Sequence, residues 1–370
     1  MTSPNPLRSL GELGQSLWVD DLRRIWLTDG TLQRWMDEDG ISGVTSNPAI
    51  FERSISAGGE YRQQLADLAA RALAPAQVCE TLALQDVRMA ADLLAPVHEA
   101  SGGREGFVSL EVSPLLADDT GQTLHEARRL WRELDRPNVM IKVPATAAGV
   151  PAIRELVAEA VNVNVTLIFG LQRYAQVVDA FLDGLEMRVA RGLGVADVAS
   201  VASFFISRID TAIDARLDAL APGEASALRG VAATACAQLA HGHYGRTIAG
   251  ERWGRLRQRG ARTQRLLWAS TSTKDPAYDE LKYVEALIAA DTISTVPRQT
   301  LDVYRQRGRP QLRLGTSEEP ARRQLAALQD LGIDMEATAG TLEREGVRKF
   351  VEPYQKLLAA IASRSAASPV

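Results

Sequence analysis

Cysteine is nearly absent: Cys79 and Cys236 are the only two in 370 residues. That is too few for a disulfide framework or a zinc cluster, and it fits a reducing compartment. An excess of one charge is missing too. The 42 basic and 46 acidic side chains leave a net charge of −4, which gives no electrostatic footprint for nucleic acid or an anionic membrane. The opening segment lacks the basic start and apolar run of a secretory signal, and nothing later reaches about 18 uninterrupted apolar residues. The expectation is a soluble, cytoplasmic protein. Asn164-Val165-Thr166 matches a glycosylation sequon but sits in an apolar strand of a chain with no export signal, so the match is read as accidental. The histidines, His98, His125, His241 and His243, form no convincing ligand set. His241 and His243 are two apart, which puts them on different faces of a helix, so zinc is not expected.

What the chain does have is a recurring alternation. Short β-rich runs at Gln15–Asp20, Ile41–Ser46, Gly106–Ser113, Asn138–Val143, Val161–Phe169, Val198–Phe205, Gln264–Thr271 and Asp291–Val296 are separated by longer stretches of helical period. Tyr61–Ala72 and Gln172–Arg191 show that period most clearly. Strands alternating with helices predict a parallel sheet, and no G-x-G-x-x-G turn follows the first strand, which favours a closed barrel over a doubly wound sheet. The fold class expected is therefore α/β, a (β/α)8 TIM barrel forming one domain over 1–370. Helical insertions are expected at about 48–103 and 210–260, with a C-terminal helix at about 341–363. The arginines from Arg246 to Arg262 read as a solvated helix face rather than a polyanion site.

Three strands carry polar residues in unusual phase. In Val161–Leu167 the valines and leucine share one face, and Asn162, Asn164 and Thr166 share the other. The apolar set must face the surrounding helices, so the polar set points into the barrel, where burial demands hydrogen bonds. An edge strand with one wet face is the alternative. The same alternation puts Glu111 on a face with Ser109 and Phe107, and Lys142 on a face with Met140. A lysine directed inward could, as a neutral amine, add to a ketone and form a Schiff base that acts as an electron sink; a lysine snorkelling to solvent could not.

Thr45-Ser46-Asn47-Pro48, Glu111-Val112-Ser113, Ile141-Lys142-Val143-Pro144-Ala145-Thr146 and Asn164-Val165-Thr166 resemble, in order and spacing, the strand-end motifs of transaldolases. The resemblance runs from about Gln15 to Thr300. It implies a class I mechanism with Lys142 as the Schiff-base lysine, and with Glu111 and Thr166 holding a catalytic water. Asp20 resembles the aspartate that takes the donor hydroxyl proton, although Asp21 lies beside it. Asn47 and Asn164 resemble the amides that bind dihydroxyacetone. Ser203, Phe205 and Arg208 resemble the phosphate-binding segment, and Lys274 stands where the family usually has a second arginine.

The resemblance implies no cofactor and sugar phosphates as the ligands, in either a monomer or a homodimer. The activity it implies is transfer of a dihydroxyacetone unit from sedoheptulose 7-phosphate to glyceraldehyde 3-phosphate. A fructose-6-phosphate aldolase and a catalytically silent sugar-phosphate-binding barrel remain alternatives.

Overall fold

All eight runs become strands: β1 (Gln15–Val19), β2 (Ile41–Val44), β3 (Phe107–Glu111), β4 (Val139–Pro144), β5 (Val163–Ile168), β6 (Ser200–Phe205), β7 (Arg265–Ala269) and β8 (Thr292–Val296). Neighbours pair in parallel around the sheet, and β8 pairs with β1, so the sheet closes into a barrel with helices outside. Closure leaves no edge strand, and the polar face of β5 therefore lines the interior. The computed structural model describes residues 5–366 except 58, 72, 221–223 and 316.

The alternation read from the sequence is what builds the two layers. Val139, Ile141 and Val143 of β4 and Val163 and Val165 of β5 are fully buried outside the barrel wall, where helices such as Gly149–Ala158 and Leu171–Ala190 cover the sheet. The helix Thr120–Leu134 shows how the covering elements are specified. Thr123, Ala127, Leu130 and Leu134 recur at helical spacing and are buried, while the Asp119 carboxylate accepts a hydrogen bond from the Gln122 amide at 2.9 Å. Asp135 then ends the helix in a left-handed conformation.

Several strands stop earlier than their sequence pattern. Asp20, Thr45, Ser46, Val112 and Ser113 lie beyond the last strand residues, at the C-terminal mouth where the chain turns into loops. Asn162 lies before β5. Its amide nitrogen donates to the carbonyls of Pro137 and Val139 at 2.9 and 3.1 Å, and its oxygen accepts from the Ala199 amide at 2.8 Å. It ties the N-terminal ends of three strands together and is remote from the mouth.

The N-terminal floor of the barrel is a polar plug. Glu105 accepts from Ser16, Ser42 and Arg265 at 2.6, 2.9 and 2.8 Å, beneath Trp18 and Phe107. Gly43 is required above it, because a Cβ there would stand 2.4 Å from the Trp18 ring.

The long β2–β3 connection folds into helices Pro48–Ala57, Arg62–Ala69 and Pro75–Ala100. Between β6 and β7 stand Ser207–Asp218, Glu224–Ala227, Ala232–Ala249 and Glu251–Gln258. The basic segment there is neutralised in part: Arg252 pairs with Asp179, Asp183 and Glu186, and Arg246 pairs with Glu318. The terminal helix is longer than the sequence pattern indicates, Met335–Ala366, and its first turns dock on the start of the helix after β5. Glu343 accepts from Arg173 at 3.0 Å, and Glu336 from the Gln172 amide at 3.2 Å.

Candidate active site

At the C-terminal mouth the strand ends surround a cavity of about 140 Å³ whose wall includes Asp20, Asn47, Lys142, Thr166, Ser203, Phe205, Arg208 and Lys274. A second hollow, about 420 Å³, lies at the opposite, N-terminal face. Of the arginines lining it, Arg104 and Arg265 face Asp291 and Glu105, and Arg262 donates to the Gly103 carbonyl at 2.6 Å.

Lys142 is 5% exposed, and it is the single buried lysine of the five in the chain. Its place follows from register, since Glu111 on β3 pairs with Lys142 on β4, which pairs with Asn164 on β5, giving one inward row across three strands. Nζ lies 3.5 Å from Glu111 Oε2 and donates to the Ser46 carbonyl at 3.2 Å. The snorkelling alternative is therefore excluded. Burial raises the Glu111 carboxyl to a pKa of about 7, against the opposing pull of Lys142. Beyond that ion pair Glu111 Oε2 has no hydrogen-bond partner, nor has the fully buried Thr166 Oγ1.

Asp20 and Asp21 separate as strand alternation requires. Asp20 faces the cavity, and burial, followed by repulsion from Asp21, lifts its pKa to about 7 while Lys274 and Lys142 pull it down. Asp21 turns away to Arg23 and Arg53, at 3.0 and 3.4 Å.

Asn164 does not reach the cavity surface. Its amide nitrogen donates to Ser109 Oγ at 3.0 Å, and its oxygen accepts from Ser203 Oγ at 2.7 Å, so the Ser203 proton is spent on Asn164. Asn47 both lines the cavity and caps the helix that follows, its Oδ1 accepting from the Ile50 amide at 3.0 Å.

On the far side Arg208 lies with its guanidinium 5.5 Å from the Phe205 ring centroid, and its buried Nη1 has no hydrogen-bond partner. Lys274 Nζ donates to Ser272 Oγ at 2.7 Å, and burial lowers its pKa. Backbone strain gathers here: Leu167, next to Thr166, and Ser270 in the cavity wall hold φ of 61° and 56°.

Sequence reading missed several residues of the wall. Thr45 stands in a quoted motif but is given no role there, Ser270 and Ser272 lie just before Lys274, and Thr295 belongs to β8, which carries none of the quoted motifs. Phe350 comes from the terminal helix and has no sequence neighbour in the site, so no strand-end motif could have indicated it.

This arrangement, a buried amine beside a carboxyl titrating near neutrality, can form and protonate a Schiff base, and a free arginine at the rim can hold an anionic group. Comparison with known proteins gives the family. A family model described as transaldolase/fructose-6-phosphate aldolase matches residues 17–361. Transaldolase 2 of Streptomyces coelicolor is 46% identical over 353 residues, covering 95% of each chain. The transaldolase of Frankia alni is 44% identical, covering 97% of each, and that of Thermobifida fusca is 45% identical, covering 98% of this chain and 99% of its own. With the match spanning nearly the whole barrel and its terminal helix, the chain belongs to the transaldolase/fructose-6-phosphate aldolase family.

Proposed function

We propose that this chain is a transaldolase in which Lys142 forms the Schiff base, taking a dihydroxyacetone unit from a ketose phosphate such as sedoheptulose 7-phosphate or fructose 6-phosphate and passing it to an aldose phosphate. The observation that carries the reading is the burial of Lys142 beside Glu111 with Thr166 Oγ1 unpartnered. Attack of the amine on the donor ketone gives a carbinolamine whose hydroxyl must leave as water, and Glu111, titrating near 7, is suited to deliver and recover that proton. A water held between Glu111 and Thr166 would satisfy both lone polar groups and relay the proton.

Asp20 takes the proton from the donor C4 hydroxyl as the C3–C4 bond breaks, and the electron pair passes into the imine as an enamine. Addition of that enamine to the acceptor aldehyde reverses the step, with Asp20 returning its proton. Asn47 is suited to hold the hydroxyls of the three-carbon unit, and Asn164, fixed behind the wall by Ser109 and Ser203, is suited to hold Ser203 in place beside it. Arg208, with an unpartnered Nη1, and Lys274 in the same cavity wall suit the donor phosphate. The lysine itself supplies the electron sink, so the chemistry requires no organic cofactor. Among the described residues no helix is long and apolar enough to cross a membrane. A place in cytoplasmic sugar-phosphate metabolism, in the non-oxidative pentose phosphate reactions, suits the substrates.

The test is to incubate the protein with fructose 6-phosphate, reduce with borohydride with and without erythrose 4-phosphate, and map the adduct by peptide mass spectrometry. An adduct on Lys142 that discharges when acceptor is added supports transfer. Steady release of free dihydroxyacetone without acceptor would make the chain an aldolase instead, and retained turnover in Lys142→Ala would remove the lysine from the mechanism.

A further inference from the structure

The polar groups of the cavity come from strand ends, from the loops after them and, in Arg208, from the first turn of the helix that follows β6; one apolar wall comes from elsewhere. Phe350 reaches in from the terminal helix Met335–Ala366, 4% exposed, with its ring centroid 5.6 Å from Lys142 Nζ. A benzene ring at that distance is within van der Waals reach of a three-carbon unit bonded to the nitrogen. It carries no proton to give and presents an apolar wall on its side of the cavity.

The ring is held by the docking of its helix. Gly346, one turn earlier, lies against the inside of the fold so closely that a Cβ would stand 2.9 Å from Leu167 Cδ2, and Leu167 is the strained residue next to Thr166. Arg173 to Glu343 at 3.0 Å and Arg216 to Thr338 at 3.0 Å fasten the helix on the same side. Leu357 and Ile361, about two and three turns further along, are buried beyond it. Phe350 thus sits on a fixed support rather than on a free tail.

Resting on the transaldolase reading above, we infer that Phe350 is a specificity-determining residue of that reaction: it keeps proton donors from the enamine, so that the three-carbon unit waits for an aldehyde. Once the donor C3–C4 bond has broken, the electron pair resides on the enamine carbon. Two fates are open to it. Addition to an acceptor aldehyde forms a new C–C bond and completes transfer. Protonation by water forms a C–H bond and leaves hydroxide, which adds to the iminium carbon; the C–N bond then breaks, freeing dihydroxyacetone and restoring the Lys142 amine, with one water consumed. Both routes balance with water as the sole co-reactant of the second, so the partition depends on whether water reaches the carbon.

The experiment compares the wild type with Phe350→Ala and Phe350→Leu. It measures transfer from fructose 6-phosphate to erythrose 4-phosphate and release of dihydroxyacetone without acceptor, alongside the borohydride adduct and the circular dichroism melt. Phe350→Ala is expected to raise the ratio of release to transfer by about tenfold or more while still forming the Lys142 adduct, whereas Phe350→Leu, dry but smaller, stays close to the wild type. An unchanged ratio in a folded Phe350→Ala, with release and transfer falling together, would overturn the role and leave only helix docking. An equal rise of the ratio in Phe350→Leu would also overturn it, since loosening of the helix would then be the cause. Failure of the wild type to form an adduct or transfer at all would sink the transaldolase reading itself, a result separable from either outcome for the variants.

Discussion

Glu111 Oε2 lies 3.5 Å from Lys142 Nζ across neighbouring parallel strands, with both side chains nearly closed to solvent. A carboxyl so placed can exchange protons with anything bonded to the amine but can do little else. Glu111→Gln keeps the shape and removes that exchange. Turnover is expected to fall by roughly 10²–10⁴-fold with the borohydride adduct accumulating slowly or not at all. Single-turnover trapping checks it, and a rate within a factor of about two of the wild type would take Glu111 out of the proton path.

How much of this could be seen in the sequence follows from what strand alternation can and cannot express. The inward phase of Glu111, Lys142, Asn164 and Thr166 is a period-two property, and the barrel places all four inside. The same rule put Asn162 with them, yet it ends as a clamp between strand ends, because phase gives the face and not the depth along the barrel axis. Asp20 and Asp21 could not be ordered from the sequence; closure of β1 against β8 turns Asp20 inward. Phe350 stayed hidden for a different reason. Its place depends on a helix far along the chain packing back over the mouth, a long-range contact with no local signature beyond Gly346.

Asp20 and Glu111 both hold a proton up to about pH 7 in the folded chain, whereas in the unfolded chain such groups lose it near pH 4. Between those values the folded state binds more protons than the unfolded one, so these two groups make stability fall as pH rises from about 4 to 7, with no further change above. Asp20→Asn is therefore expected to melt higher than the wild type at pH 8, with the advantage shrinking towards pH 4. In parallel, kcat/KM of the wild type should show an acid limb near pH 7 instead of near 4, since Asp20 must be ionised to take the donor hydroxyl proton. A melting difference that is flat from pH 4 to 8 would show that Asp20 is not perturbed by its surroundings.

Arg208 has a buried Nη1 with nothing to donate to and an aromatic ring to lie against, which is a poor arrangement for stability and a good one for an anion. Arg208→Ala should raise KM for fructose 6-phosphate by about 10–100-fold, the worth of a charge-assisted hydrogen bond or two, with a smaller effect on unphosphorylated fructose. Lys274→Ala should weaken binding less, because an ammonium meets phosphate as a point charge, already partly satisfied by Ser272. The comparison to make is the ratio of kcat/KM for phosphorylated and plain sugar. Equal losses for the two sugars would place the phosphate elsewhere.

At the other end of the barrel, Arg265 is buried beneath the floor with its Nη1 shared between Glu105 at 2.8 Å and Ser16 at 2.8 Å. Removing Glu105 leaves that guanidinium under the barrel without its carboxylate partner, and water reaches it poorly. Glu105→Ala is expected to cost about 3–5 kcal/mol in urea unfolding at neutral pH, the penalty of an uncompensated buried charge and well above that of a surface pair. Replacing both residues, Glu105→Ala with Arg265→Met, should recover part of the loss, because the buried charge goes with its partner. Catalysis should be spared in all variants that remain folded, since the plug stands at the N-terminal face and the chemistry at the C-terminal one. A loss of less than about 1 kcal/mol in Glu105→Ala would mean that solvent, not the carboxylate, carries the arginine.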